Sequence, residues 1–124
     1  MTVGILASPA QAANYSWTSS LTDVGPGFES RRWYDDNGYT TITFTDCYSG
    51  GHKGAEVRVR KDVVGPDPAY AKALFTNCFN GYSATSTGNW SPTGVTSGNF
   101  YFAVNEAATT LKLSVRTLTV SYAY

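Results

Sequence analysis

The chain is poor in the groups that do chemistry. It has one histidine, His52, two cysteines, Cys47 and Cys78, and a single methionine. No C-x-x-C pair occurs, and two cysteines with one histidine cannot complete a zinc tetrahedron without carboxylates. No G-x-S-x-G elbow, P-loop, dinucleotide glycine pattern or EF-hand spacing is present. A hydrolytic triad needs a histidine held by a carboxylate against a nucleophile. His52 stands beside Lys53 in Ser49-Gly-Gly-His-Lys-Gly54, which reads as a solvated loop. Glycoside hydrolysis needs two carboxylates in different environments, and the adjacent Asp35 and Asp36 point apart on a turn. No catalytic residue, metal site or cofactor is therefore expected, and the chain reads as a non-enzyme. A calcium turn built from Asp35, Asp36 and Asn37 is the alternative that the oxygen-rich spacing leaves.

Charge is scarce as well. Nine Lys and Arg balance nine Asp and Glu, and together they make up only 15% of the residues. That balance lacks the basic excess by which nucleic-acid and membrane-surface binders are recognised. No apolar run reaches the roughly 20 residues that span a bilayer. Helix signals are nearly missing too. The best is Pro68-Ala-Tyr-Ala-Lys-Ala-Leu-Phe75, which reads as a turn leading into a strand, with a short helical turn as the alternative.

Strand signals, by contrast, recur along the chain. Thr40–Cys47 puts Ile42 and Phe44 on one face. Ala55–Lys61 turns Val57 and Val59 inward and Glu56, Arg58 and Arg60 outward. Asn99–Val104 aligns Phe100, Phe102 and Val104. Leu111, Leu113 and Val115 alternate on odd numbers, and then Leu118, Val120 and Tyr122 continue on even ones. A period of two cannot change parity without an extra residue, so a β-bulge or bend is predicted at Arg116-Thr117. Weaker strands are expected at 15–21, 30–34, 74–78 and 82–87. Asp35-Asp-Asn-Gly38 is the strongest hairpin signal, because Asn-Gly tolerates positive φ. Val64-Gly-Pro-Asp-Pro68 is a stiff loop, and Asn89-Trp-Ser-Pro-Thr-Gly94 reads as another. Seven or eight short strands at this spacing predict an antiparallel β-sandwich, with a small barrel as the alternative.

Residues 1–12 read as the end of a secretory signal peptide. The apolar run Val3–Ala7 is followed by Ser8-Pro9 and by Ala10-Gln11-Ala12, with small residues placed for cleavage before Ala13. Residues 13–30 are expected to form an N-terminal arm and first strand, and 31–124 the sandwich domain. The arm, poor in apolar anchors, would stay mobile until a partner orders it and could pair with the edge of another protein's sheet. Export also fits the even cysteine count. A Cys47–Cys78 bridge would close a loop of about 30 residues and stabilise the fold by roughly 3–4 kcal/mol.

With chemistry excluded, binding remains. The aromatic share of 15% is high, and Tyr and Trp are favoured at interfaces for their large area and few rotors. Trp17, Trp33, Tyr34, Tyr48 and Trp90 are the candidate binding residues, together with Arg31 and Arg32 of the Arg31-Arg32-Trp33-Tyr34 run. Two functions fit. One is a protein–protein interaction module within a hetero-complex of secreted proteins. The other is a carbohydrate-binding module that stacks a glycan on Trp90, Trp33 and Tyr48.

The Ala-Ser-Pro-Ala-Gln-Ala junction, the Thr/Ser/Gly-rich strands and the single disulfide resemble small secreted proteins of actinomycetes. Within that group the chain is similar to protease inhibitors and to the small adaptor subunit of umbrella toxin particles. The adaptor resemblance implies a non-enzymatic protein that joins a lectin-like subunit to a large toxin subunit. The inhibitor resemblance implies a rigid presented loop, for which Val64–Pro68 is the candidate.

Overall fold

Alternation of β-branched and aromatic residues with Thr and Ser builds two antiparallel sheets packed face to face. The computed structural model describes residues 14–36, 39–91 and 97–123. The predicted signal segment, Asn37-Gly38 and most of the loop after Trp90 lie outside the described residues. The strands are β1 (Asn14–Val24), β2 (Trp33–Asp35), β3 (Thr40–Tyr48), β4 (Ala55–Asp62), β5 (Ala69–Phe75), β6 (Thr85–Trp90), β7 (Gly98–Val104) and β8 (Leu113–Ala123). Sheet one has the order β1-β8-β3-β6 and sheet two the order β2-β7-β4-β5. The β-sandwich expectation is met, and Cys47 and Cys78 are bonded. Among the described residues no helix is long and apolar enough to cross a membrane.

The inward residues of the two sheets make one core. Ile42, Phe44, Leu118 and Val120 of sheet one face Val57, Val59, Phe75, Phe100 and Phe102 of sheet two, all essentially inaccessible. Phe44 is its centre, edge-on to Phe75 at 5.0 Å and to Phe102 at 5.7 Å between ring centroids. Such pairs add about 0.5–1.5 kcal/mol beyond their buried area.

The parity change predicted in the last strand is present. Ser19 of β1 pairs with Leu118, but Leu21 pairs with Val115, so β8 carries the extra residue at Arg116-Thr117. β3 changes phase at the same level. Ile42 and Phe44 point inward and then Cys47 does, across an Asp46 held at φ 61°. The β3–β8 register runs through unbroken, from Thr45 opposite Thr117 to Cys47 opposite Val115. Two strands in continuous register must turn over together, and Asp is among the few residues that tolerate this left-handed backbone.

Three expectations are corrected. Asp35–Gly38 does not close a hairpin, because β2 pairs with β7 in sheet two while β3 pairs with β6 and β8 in sheet one. The chain passes from sheet two to sheet one between Asp35 and Thr40. Of the segment expected as an arm and first strand, the strand is present as β1, but it is paired along its length with β8 and anchored by the buried Leu21 rather than left as an arm. The bond-making half of Leu74–Cys78 is not strand but a short 3-10 turn at Asn77–Asn80, which positions the buried Cys78.

The outer faces differ in kind. On sheet one, Ser16, Ser121, Thr41 and Asn89 form one cross-strand row, Thr18, Thr119, Thr43 and Thr87 a second, and Thr117, Thr45 and Thr85 a third. Neighbours bond to each other, as in Thr43–Thr87 at 3.2 Å and Thr45–Thr85 at 3.1 Å. These rows carry no charge. Sheet two's outer face is ionic and internally paired: Arg60 and Arg58 both reach Glu106, at 2.7 and 3.5 Å.

Candidate functional site

A sandwich has two sides where sheet edges face each other, and here one is closed. On the β5/β6 side the Trp90 indole crosses between the sheets and donates to the Ala71 carbonyl at 2.7 Å. The Cys47–Cys78 bond ties sheet one to the turn leading out of β5. Trp90, expected in a loop as a candidate stacking residue, is therefore a core residue with 4% of its surface exposed. Its neighbours misled, since Ser86 and Gly88 fill the inward positions that would otherwise have marked β6 as a strand.

On the opposite side, β1 and β2 bring together residues far apart in sequence. Trp17 meets Trp33 at 6.0 Å between centroids and lies parallel to Phe102 at 6.4 Å. Trp33 stacks with Tyr122 at 6.3 Å, and Tyr122 with Tyr15 at 5.9 Å. The Arg31 guanidinium sits 5.0 Å over the Trp17 ring. Beneath them opens a cleft of about 140 Å³ lined chiefly by Trp17, Leu21, Phe28, Arg31, Phe102 and Leu118. Ser30 fixes the approach to it: its hydroxyl accepts from the Phe102 amide and donates to the Arg31 carbonyl, both at 2.9 Å. The buried indole N–H groups of Trp17 and Trp33 find no hydrogen-bond partner among the described residues. Leaving a buried donor unpaired costs about 1–3 kcal/mol.

Of the candidate residues, the structure thus assembles Trp17, Arg31 and Trp33, with the half-exposed Tyr34 on the same strand as Trp33. Trp33 is 3% exposed and does not line the cleft; it packs behind Trp17 and offers no stacking surface. Arg32 is drawn away, stacked 3.8 Å over Tyr101 and bonded to Glu29 and Asp62. Tyr48 lies on the outer face of sheet one, remote from Trp90 and Trp33, so the three do not form the expected sugar platform. Phe28, Phe102 and Tyr122 were missed as site residues. Phe102 and Tyr122 had a signal, in the alternation of Asn99–Val104 and in the even-numbered phase of β8.

The Val64–Pro68 loop connects β4 to β5, and Val64 at its tip is fully exposed. It is braced by Asp67 rather than by the disulfide. One carboxylate oxygen accepts from the Val63 amide at 3.0 Å and the other from the Tyr101 hydroxyl at 2.5 Å. Both bonds, the Tyr101 bond foremost, hold the Asp67 carboxyl below its ordinary value of 3.8. Burial, helped by the same bond, pushes the Tyr101 phenol well up. A carboxyl with a depressed folded pKa stabilises the folded form above its unfolded value, and that contribution is lost as pH falls through the folded one. In an NMR titration the Val63 amide is expected to shift with a midpoint below 3.8 and to stop titrating in Asp67→Asn. A Val63 amide that titrates identically in the variant would show that this carboxylate does not brace the loop.

His52 is exposed in the β3–β4 loop. Among the described residues no group of three or more His, Cys, Asp or Glu is placed to hold a metal ion. No family model, curated protein or solved structure matches the chain.

Proposed function

We propose that the chain is a secreted, non-enzymatic interaction module, an adaptor subunit of an extracellular complex, that takes an extended segment of a partner protein in the cleft between β1 and β2. The observation that carries this reading is the pair of buried indole donors without acceptors among the described residues, beside an apolar cleft at what is, among those residues, the edge of sheet one. Backbone carbonyls of an added strand are the acceptors such donors call for. Trp and Arg are the residue types enriched at binding hot spots. Arg31 is the one charge lining the cleft, which suits a partner segment with an apolar anchor and a carboxylate near it. β1 is the edge strand of sheet one among the described residues, and such an edge supplies the hydrogen-bonding row along which an extended chain pairs. The adaptor role is the one implied by the resemblance to the umbrella-particle subunit, and the disulfide is consistent with an oxidising compartment.

The test compares proteins retained from culture fluid by the immobilised wild type, Trp17→Ala, Arg31→Glu and Tyr48→Ala. A genuine partner is expected on wild type and Tyr48→Ala and to bind the two cleft variants about 30-fold more weakly, the loss expected of hot-spot residues. Its binding should also change tryptophan emission. Equal retention on all four proteins would remove the cleft from the function.

A further inference from the structure

The matched phase change of β3 and β8 leaves a second concavity, on the outer face of sheet one, which adjoins the cleft at Ser20 and Leu21. Asp46 and Arg116 sit at the turnover and pair at 3.2 Å. Below them lies a groove of about 440 Å³ lined by Ser20, Thr22, Asp46, Tyr48, Ser114 and Arg116, with Leu21 and Val115. Arg116 is fixed in three ways. It pairs with Asp46, donates to the Tyr82 carbonyl at 3.0 Å, and lies 4.0 Å over the Tyr82 ring. Tyr48 forms one wall with 68% of its surface exposed, and Tyr82, beyond Arg116, is 71% exposed.

The chemistry of the groove selects a ligand class. Its two charges neutralise each other, so it offers no net attraction to an anion or a cation. Its other polar lining is hydroxyl, which suits a ligand that both donates and accepts hydrogen bonds. An exposed phenol ring offers a flat apolar surface with a polar edge. A planar guanidinium and a carboxylate held side by side can address adjacent hydroxyl groups with fixed geometry. A sugar ring, with polar edges and an apolar C–H face, meets all of these at once. The uncharged Thr and Ser rows that continue from the groove put no ionic barrier in the path of a longer chain. Asp46 holds a left-handed backbone to stand here, the kind of local cost that is concentrated at functional sites.

We infer that this groove binds a neutral oligosaccharide, stacked on Tyr48 and hydrogen-bonded by Asp46, Arg116 and Ser114. The inference does not rest on the protein-binding reading, since Tyr48, Asp46, Arg116 and Ser114 line the groove and not the cleft. Calorimetric titrations with cellohexaose, xylohexaose, mannohexaose and N-acetylchitohexaose test it. At least one is expected to bind the wild type. Tyr48→Ala, exposed and therefore neutral to folding, should weaken that binding roughly tenfold or more. Asp46→Asn keeps a residue that tolerates the backbone and should weaken it comparably, while Trp17→Phe should leave it unchanged. Tryptophan emission should stay constant, because no tryptophan lines the groove. Absence of binding to all four sugars at millimolar concentration overturns the inference, and so does unchanged affinity in Tyr48→Ala.

Discussion

Replacing Trp90 with alanine is expected to lower the unfolding free energy by about 3–5 kcal/mol, the usual cost of truncating a buried large aromatic. The ring is 4% exposed and spans the β5/β6 side of the sandwich. Its indole N–H bonds the Ala71 carbonyl of the facing sheet at 2.7 Å, so truncation also leaves that carbonyl without its cross-sheet donor. The packing around it leaves no slack. A Cβ on Gly88 would lie 2.8 Å from the Trp90 ring and 3.0 Å from Phe75. Gly88 is bare because the indole occupies its side-chain space, and the hole left by alanine would have no nearby group to fill it. Trp90→Phe should recover part of the loss by restoring ring volume without the N–H. Urea unfolding of the three proteins measures the series. A cost below about 1 kcal/mol for alanine would be the behaviour of a surface side chain and would contradict the closed side.

What could be read from the sequence, and what could not, follows from the range of each signal. Alternation is local, and it located β3, β4, β7 and β8 by their inward Ile42, Phe44, Val57, Val59, Phe102 and Val120. Parity is local too, so the Arg116–Thr117 bulge was predictable from the numbering of leucines and valines alone. Its counterpart at Asp46 was present in the same form, in the step from Phe44 to Cys47, but two polar residues between inward positions where alternation has one are a faint mark. Pairing partners are not local. Asp35–Gly38 announces a reversal with the same residues whether the next strand pairs with β2 or crosses to the other sheet. β5 was obscured for another reason. Its Ala and Lys residues favour helix, and hydrogen bonding along β4 overrides that weak preference. The cleft depended on both limits. Trp17, Arg31 and Trp33 were recognisable by type, but only the assignment of β1 and β2 to facing edges makes them one site.

Removing the disulfide with Cys47→Ala and Cys78→Ala together is expected to lower stability by about 3–4 kcal/mol. The cysteines are 31 residues apart in sequence, and their cross-link restricts the unfolded chain over that span. The bridge is not redundant with the strand ladders. Cys47 belongs to β3 of sheet one, while Cys78 sits on the turn between β5 and β6, the edges of opposite sheets. With a typical domain stability of about 5–15 kcal/mol, the loss is a large share of the whole. A melting point lower by roughly 10–20 °C is the corresponding thermal shift. Both this variant and Trp90→Ala act on the closed side. The open side, by contrast, has indole donors without a partner among the described residues and, among them, an edge strand with no further neighbour. Under the proposed function, stability and recognition fall on opposite sides of one sandwich. At low temperature, where the double variant still folds, it should hold the partner as wild type does. Hydrogen exchange should show amides 77–86 losing protection before those of β1. Loss of partner binding in a variant whose β1 amides remain protected would break that division.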